Sequence, residues 1–192
     1  MSWTLTPNFG LKKVDFDTEE NTWGGILNEN YDIIDTNLGV GGGSFLYAVI
    51  KDTKSSGTEG GASIGGVWQT RDLNTLNTNV PGITLVSNQF TLPAGTYKIE
   101  ASYPATKTNF SKIALRNITD SVFDILGSSE IPHSIDETTT QSSLVDVISL
   151  LASKTFEIQH YTDATYSPYG LGRAGVDGEI EVYTQVFIEK VR

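Results

Sequence analysis

The side chains with the widest chemical range are two histidines, His133 and His160, and a tyrosine-rich run from Tyr161 to Arg173. His133 lies in Glu130-Ile131-Pro132-His133-Ser134-Ile135-Asp136-Glu137, where an imidazole and three carboxylates could face a divalent cation. Their spacing matches no established ligand pattern, so no metal is expected. Asp177-Gly178-Glu179 fits a plain hairpin turn as well as a calcium-type turn. His160 ends a run in which Phe156, Ile158 and His160 alternate with Glu157 and Gln159. That alternation places it on the covered side of a strand rather than among ligands. With no cysteine, thiol catalysis and thiolate metal sites are excluded. The sequence holds no G-x-S-x-G elbow, no H-E-x-x-H and no phosphate loop, since Gly41-Gly42-Gly43 and Gly60-Gly61 lack the lysine that follows one. The reading is of a chain that is not an enzyme and carries no cofactor.

The run from Tyr161 to Arg173 is the segment best suited to contact another molecule. A tyrosine offers a flat apolar face with a polar tip, which suits a sugar ring or a protein epitope at low entropic cost. Tyr161, Tyr166, Tyr169 and Arg173 are the candidate contacts. The same tyrosines would serve equally to pack a structured loop against a neighbouring protomer. Lys54 to Gly61, by contrast, is a long loop without aromatic residues.

Composition narrows the partners. The chain has 192 residues, and 13 basic against 23 acidic side chains leave a net charge of −10. Such a surface disfavours nucleic acid, whose phosphates require cationic contacts. No run approaches the roughly 18 apolar residues of a membrane-spanning helix. Met1-Ser2-Trp3-Thr4 lacks the basic and apolar pattern of a leader.

The elements that must position these residues fall into two kinds. Residues 1–16 read as an extended arm. Asp17 then provides an N-cap, with Glu20 three residues on, and Trp23, Leu27, Tyr31, Ile34 and Leu38 follow at spacings of 4, 4, 3 and 4. This predicts a short amphipathic helix, stopped at Gly39 and followed by a glycine hinge over 40–44. Its apolar stripe can pack on its own domain or against copies of itself; a helix this short needs one or the other.

From Phe45 onward the period becomes two. Tyr97, Ile99, Ala101 and Tyr103 are expected inward, with further strands over 67–72, 83–90, 110–118, 121–126 and 143–151. Leu92-Pro93-Ala94-Gly95 and Asn117-Ile118-Thr119-Asp120 read as turns. The first and last strands, Phe45–Ile50 and Ile180–Val191, carry apolar residues on both faces. Phe45, Tyr47, Tyr183 and Phe187 are therefore expected to meet another protomer, together with Leu27, Tyr31, Ile34 and Leu38 of the helix. The organisation is a mainly β chain: an anchoring arm and helix over 1–39, a hinge over 40–44, and an antiparallel β-sandwich or jelly roll over 45–192.

Two sets of residues carry a resemblance. Asn8-Phe9-Gly10-Leu11, then Asn21-Thr22-Trp23-Gly24 and Leu27-Asn28-Glu29-Asn30-Tyr31-Asp32, resemble the N-terminal module of bacteriophage tail-fibre and related virion proteins. Phe9 stands where that module usually has Tyr, and Asn21 where it usually has Asp. Val67-Trp68-Gln69-Thr70-Arg71-Asp72-Leu73-Asn74, Gln89 to Tyr97, Arg116 to Asp120, Lys154 to His160 and Glu181 to Val186 are similar to a domain at the C-terminus of many phage fibres. That domain is associated with the tumour-necrosis-factor and complement globular-head jelly rolls. The resemblance implies a homotrimeric, non-enzymatic virion protein on the tail or capsid surface. Its N-terminal region would hold another virion protein and its head would meet a host-surface glycan or protein. A capsid decoration, head fibre or tail adaptor is the alternative, because the hinge over 40–44 leaves no room for a long shaft.

Overall fold

In the computed structural model the described residues are 45–191 apart from 134 and 136, together with two short strands nearer the N-terminus. Those two, β1 (Thr4–Leu5) and β2 (Lys12–Lys13), pair antiparallel, Thr4 opposite Lys13. The helix expected over 17–39, with Leu27, Tyr31, Ile34 and Leu38, and the hinge over 40–44 lie outside the described residues. The chain divides into two units, Met1–Phe45 and Leu46–Arg192, and the two-sheet body belongs to the second.

That body is built from β3 (Tyr47–Lys54), β4 (Trp68–Thr70), β5 (Thr75–Thr78), β6 (Thr84–Val86), β7 (Gln89–Leu92), β8 (Gly95–Thr106), β9 (Ser111–Asn117), β10 (Val122–Glu130), β11 (Thr139–Leu150), β12 (Lys154–Thr162) and β13 (Glu181–Lys190). One sheet has the order β11-β8-β13-β3-β5. The other runs β10-β9-β12-β7-β6, with β4 continuing the β12 edge beyond β7. Every pairing is antiparallel. Two such sheets with their apolar faces together form a jelly roll.

Strand alternation explains the core. On β8, Tyr97, Ile99, Ala101, Tyr103 and Ala105 point inward and are buried, as their spacing predicts. They meet Phe90 and Leu92 of β7, Ile113 and Leu115 of β9, and Phe156 and Ile158 of β12 in one apolar cluster. Phe90 and Phe156 are direct neighbours across the β7–β12 ladder and stack with centroids 5.9 Å apart. Burying a side chain of this size contributes about 1.5–3 kcal/mol.

The structure revises two expected strands. The stretch 83–90 is not one strand but a hairpin. Ser87 and Asn88 both have positive φ, 50° and 66°, which is the geometry of a two-residue type I′ turn between β6 and β7. Asn88 Oδ1 then accepts the Leu73 N–H at 3.1 Å, tying the turn to the preceding loop.

The second revision concerns Tyr183. The alternation expected of the last strand is broken between Val182 and Gln185. There β13 advances by three residues while β3 advances by two. This bulge turns both Tyr183 and Thr184 inward. Tyr183 is 4% exposed and donates to the Thr58 carbonyl at 2.6 Å, so it belongs to the chain's own interior and not to the face that carries Phe187.

The ring of Tyr183 needs a residue without a side chain beside it. A Cβ at Gly172 would lie 2.3 Å from Tyr183 Cδ1, and Gly172 has φ +130°. Gly172→Ala should therefore lower stability by about 1–3 kcal/mol through overpacking, with backbone strain added. Urea denaturation at constant protein concentration measures this, and an unchanged midpoint would show that the loop can move away from the ring.

Candidate functional site

The tyrosine-rich segment separates into two environments. Tyr161 is the penultimate residue of β12 and lies on its outward face, opposite Trp68 of β4. Their ring centroids are 5.7 Å apart, and Phe110 lies 6.2 Å from Tyr161 on its other side. Tyr166, Tyr169 and Arg173 instead form a cluster of their own around Glu137. Tyr166 donates to the Tyr169 hydroxyl at 2.9 Å, Tyr169 donates to Glu137 Oε1 at 2.7 Å, and Arg173 pairs with Glu137. The guanidinium of Arg173 lies 5.3 Å from the Tyr169 ring, and Lys107 Nζ lies 5.1 Å from the Tyr166 ring.

Charge follows the bonds. Hydrogen bonds from Tyr169 and the nearby Arg173 hold the Glu137 carboxyl below its ordinary pKa. The Tyr169 hydroxyl is held well above its ordinary value, first by the Tyr166 and then by the Glu137 hydrogen bond. Tyr166 is anchored at its backbone, bonding the Ser63 carbonyl and hydroxyl at 3.3 and 3.0 Å. The ring faces, hydroxyls and charges of this loop are thus largely engaged with one another.

His160 lies inside the sandwich, 0% exposed. Its ring centroid is 5.4 Å from that of Tyr103, whose face also receives the Arg71 guanidinium at 4.8 Å. Arg71 is itself buried: Nε donates to Thr184 Oγ1 at 2.8 Å and Nη2 to the Leu171 carbonyl at 3.2 Å. Tyr103, Ser111 and Ser142 form a hydroxyl chain with both links at 2.6 Å. Asp52, also buried, pairs with Lys54 at 3.2 Å, and burial raises its carboxyl above the ordinary value.

Neither nitrogen of His160 makes a well-formed side-chain hydrogen bond among the described residues. The backbone of Gln69, its ladder partner, lies beside the ring and acts on it less than the Arg71 charge does. Burial first, and the charge of Arg71 second, push its pKa down from 6.5 to about 3. The ring is therefore neutral at pH 7. His133, by contrast, is exposed, and its Nδ1 accepts the Ile135 N–H at 3.2 Å. Among the described residues no three imidazole or carboxylate groups converge.

The two sheets differ on their outward faces. On the five-stranded sheet one ladder row runs Val145, Glu100, Phe187, Val49, and another runs Val147, Lys98, Glu189, Tyr47. Val145 and Val147 are 64% and 55% exposed, and Lys98 pairs with Glu100 between them and β13. A shallow depression of about 610 Å³ lies over Val49, Glu100, Val145 and Phe187. Tyr47 and Phe187 belong to these two outward rows. Phe45, 55% exposed, precedes β3.

The topology is that of a two-sheet antiparallel jelly roll, and comparison with known proteins agrees at the level of fold. No family model and no curated protein matches the sequence. Among solved structures, murine APRIL at pH 5.0 superposes with a TM-score of 0.50 at 7% identity, covering 77% of this chain and 100% of that one. The globular domain of zebrafish complement 1qA protein gives 0.48 at 12% identity, covering 78% and 98%.

The interior histidine yields a pH dependence. Between its unfolded value near 6.5 and its folded value near 3, the unfolded state binds the extra proton. Each pH unit lost in that window then removes about 1.4 kcal/mol of stability, and the contribution is fully present only above pH 6.5. The buried Asp52 has the opposite sign, since its raised pKa favours folding at low pH. A comparison of wild type with His160→Gln isolates the histidine: the variant should lose stability less steeply from pH 6.5 to 4. Parallel curves would place the acid sensitivity elsewhere.

Proposed function

We propose that this chain is a bacteriophage virion structural protein, a short tail-fibre-like homotrimer. Its N-terminal region anchors to another virion protein and its jelly-roll head meets the host surface. The observation that carries the reading is the outward face of the β11-β8-β13-β3-β5 sheet. Val145 and Val147 of this face are 64% and 55% exposed, and a second copy supplies a matching apolar surface. The N-terminal resemblance over residues 8–32 supports the virion anchor.

The mechanism of retention is avidity. Three heads on one trimer, and many trimers on one particle, hold a surface firmly through individually weak contacts. A trimer carries 3 × −10 = −30 charges, which favours solubility and opposes nonspecific adhesion to anionic envelopes. The competing assignment, a capsid decoration or tail adaptor, is favoured by the brevity of the linker over 40–44.

Two measurements separate these readings. Antibody label on intact particles should mark the tail, and particles lacking residues 45–192 should assemble but fail to adsorb. Label spread over the capsid, or particles that fall apart, would favour decoration. Replacing Val145 and Val147 together by Asp should turn trimers into monomers in sedimentation velocity; trimers of unchanged mass would remove this face from the interface.

A further inference from the structure

The outward face of the other sheet carries an aromatic platform that is invisible as a cluster in the sequence. Trp68 of β4, Phe123 of β10, Tyr161 of β12 and Phe110, which precedes β9, come together there. Trp68 and Phe123 have ring centroids 4.8 Å apart and planes tilted by 43°. β12 and β9 lie between their strands, so the two rings meet only by lying across the sheet. Ala114 makes this possible. It sits outward on β9, opposite Gln159 and Leu126, yet it is 0% exposed because larger neighbours cover it.

A polar row borders the rings. Glu157, 6% exposed, accepts from Thr70 at 2.9 Å, from Gln89 at 3.0 Å and from Gln159 at 2.6 Å. These are neutral donors held in fixed positions, and their remaining atoms can exchange hydrogen bonds with hydroxyl groups. Two cations stand on the same face: Arg116, whose guanidinium lies 4.7 Å from the Phe123 ring, and Lys112, the ladder partner of Tyr161. Arg116 is also the ladder partner of Glu157, so this face carries two cations beside one buried carboxylate, on a chain of net charge −10.

We propose that this platform is a saccharide-binding site and that its ligand carries carboxylate groups. Aromatic faces match the apolar C–H face of a pyranose ring, and the amide and hydroxyl row matches its hydroxyls. Arg116 and Lys112 complement the carboxylates, so binding weakens as salt screens them. A protein partner would need a broader apolar core than four rings inside a polar border. The inference rests on the host-attachment reading and specifies its site: the β4–β12–β9–β10 face rather than the loop around Glu137, whose groups are already bonded to one another.

The test uses the full-length chain on an array of bacterial capsular and lipopolysaccharide glycans, uronate- or sialate-bearing chains beside neutral ones, with adhesion to host cells measured in parallel. The expected result is binding to acidic glycans that falls with added salt. It should drop at least tenfold in Trp68→Ala and in Arg116→Ala, and stay unchanged in Arg173→Ala. Arg116→Ala removes a surface cation and guards against a folding defect in the tryptophan variant; near-ultraviolet circular dichroism checks both. Equal binding by both variants, or neutral glycans bound as tightly as acidic ones, would overturn the site or its ligand class. Cell adhesion without glycan binding would overturn this inference while sparing the attachment reading. Loss of both activities in the wild type would overturn the two together.

Discussion

Everything in the head depends on burying the inner faces of two antiparallel sheets against each other. Tyr97, Ile99 and Tyr103 from one sheet and Phe90, Phe156 and Ile158 from the other fill that space. Strand alternation then dictates the rest: once odd residues of β8 point inward, Lys98, Glu100 and Ser102 must point outward. A one-residue slip would place Lys98 and Glu100 in the core, where unpaired charges are not tolerated. The core therefore fixes which side chains each outward face displays.

The interior is not uniformly apolar. Arg71, Asp52, His160 and the Tyr103–Ser111–Ser142 hydroxyl chain are buried in it. The β13 bulge serves this region, aiming Thr184 at Arg71 and Tyr183 at Thr58. Groups packed this way rigidify a structure when they are satisfied and destabilise it when one partner is removed. The outward faces differ in turn. One offers valines and an aromatic ring around an ion pair; the other offers stacked rings beside amides and two cations. A surface of the first kind suits a second copy, and one of the second kind suits a hydroxylated ligand.

The sequence made the strands legible where alternation was clean, as over Tyr97–Tyr103, and the β-sandwich followed from their number and turns. It misled where the backbone departs from a period of two. Nothing in Tyr183-Thr184 announces a bulge, because two polar-tipped residues with buried partners look like an exposed pair. Ser87-Asn88 was equally hard to read, since the hairpin depends on positive φ in residues other than glycine. The loop tyrosines stood out by composition, but only the fold divides Tyr161 from Tyr166 and Tyr169. The aromatic platform draws on positions 68, 110, 123 and 161, brought together by ladder pairings that no local pattern encodes. Tyr161, a candidate contact by its composition, is the member of the platform that the sequence marks out.

The measurement that bears most directly on the central claim is the native mass of the full-length chain by multi-angle light scattering. A chain of 20.8 kDa that covers its apolar sheet face with copies of itself should give three times that mass, independent of dilution through the micromolar range. A stable particle of one chain mass, with Val145 and Val147 still open to solvent, would contradict the account.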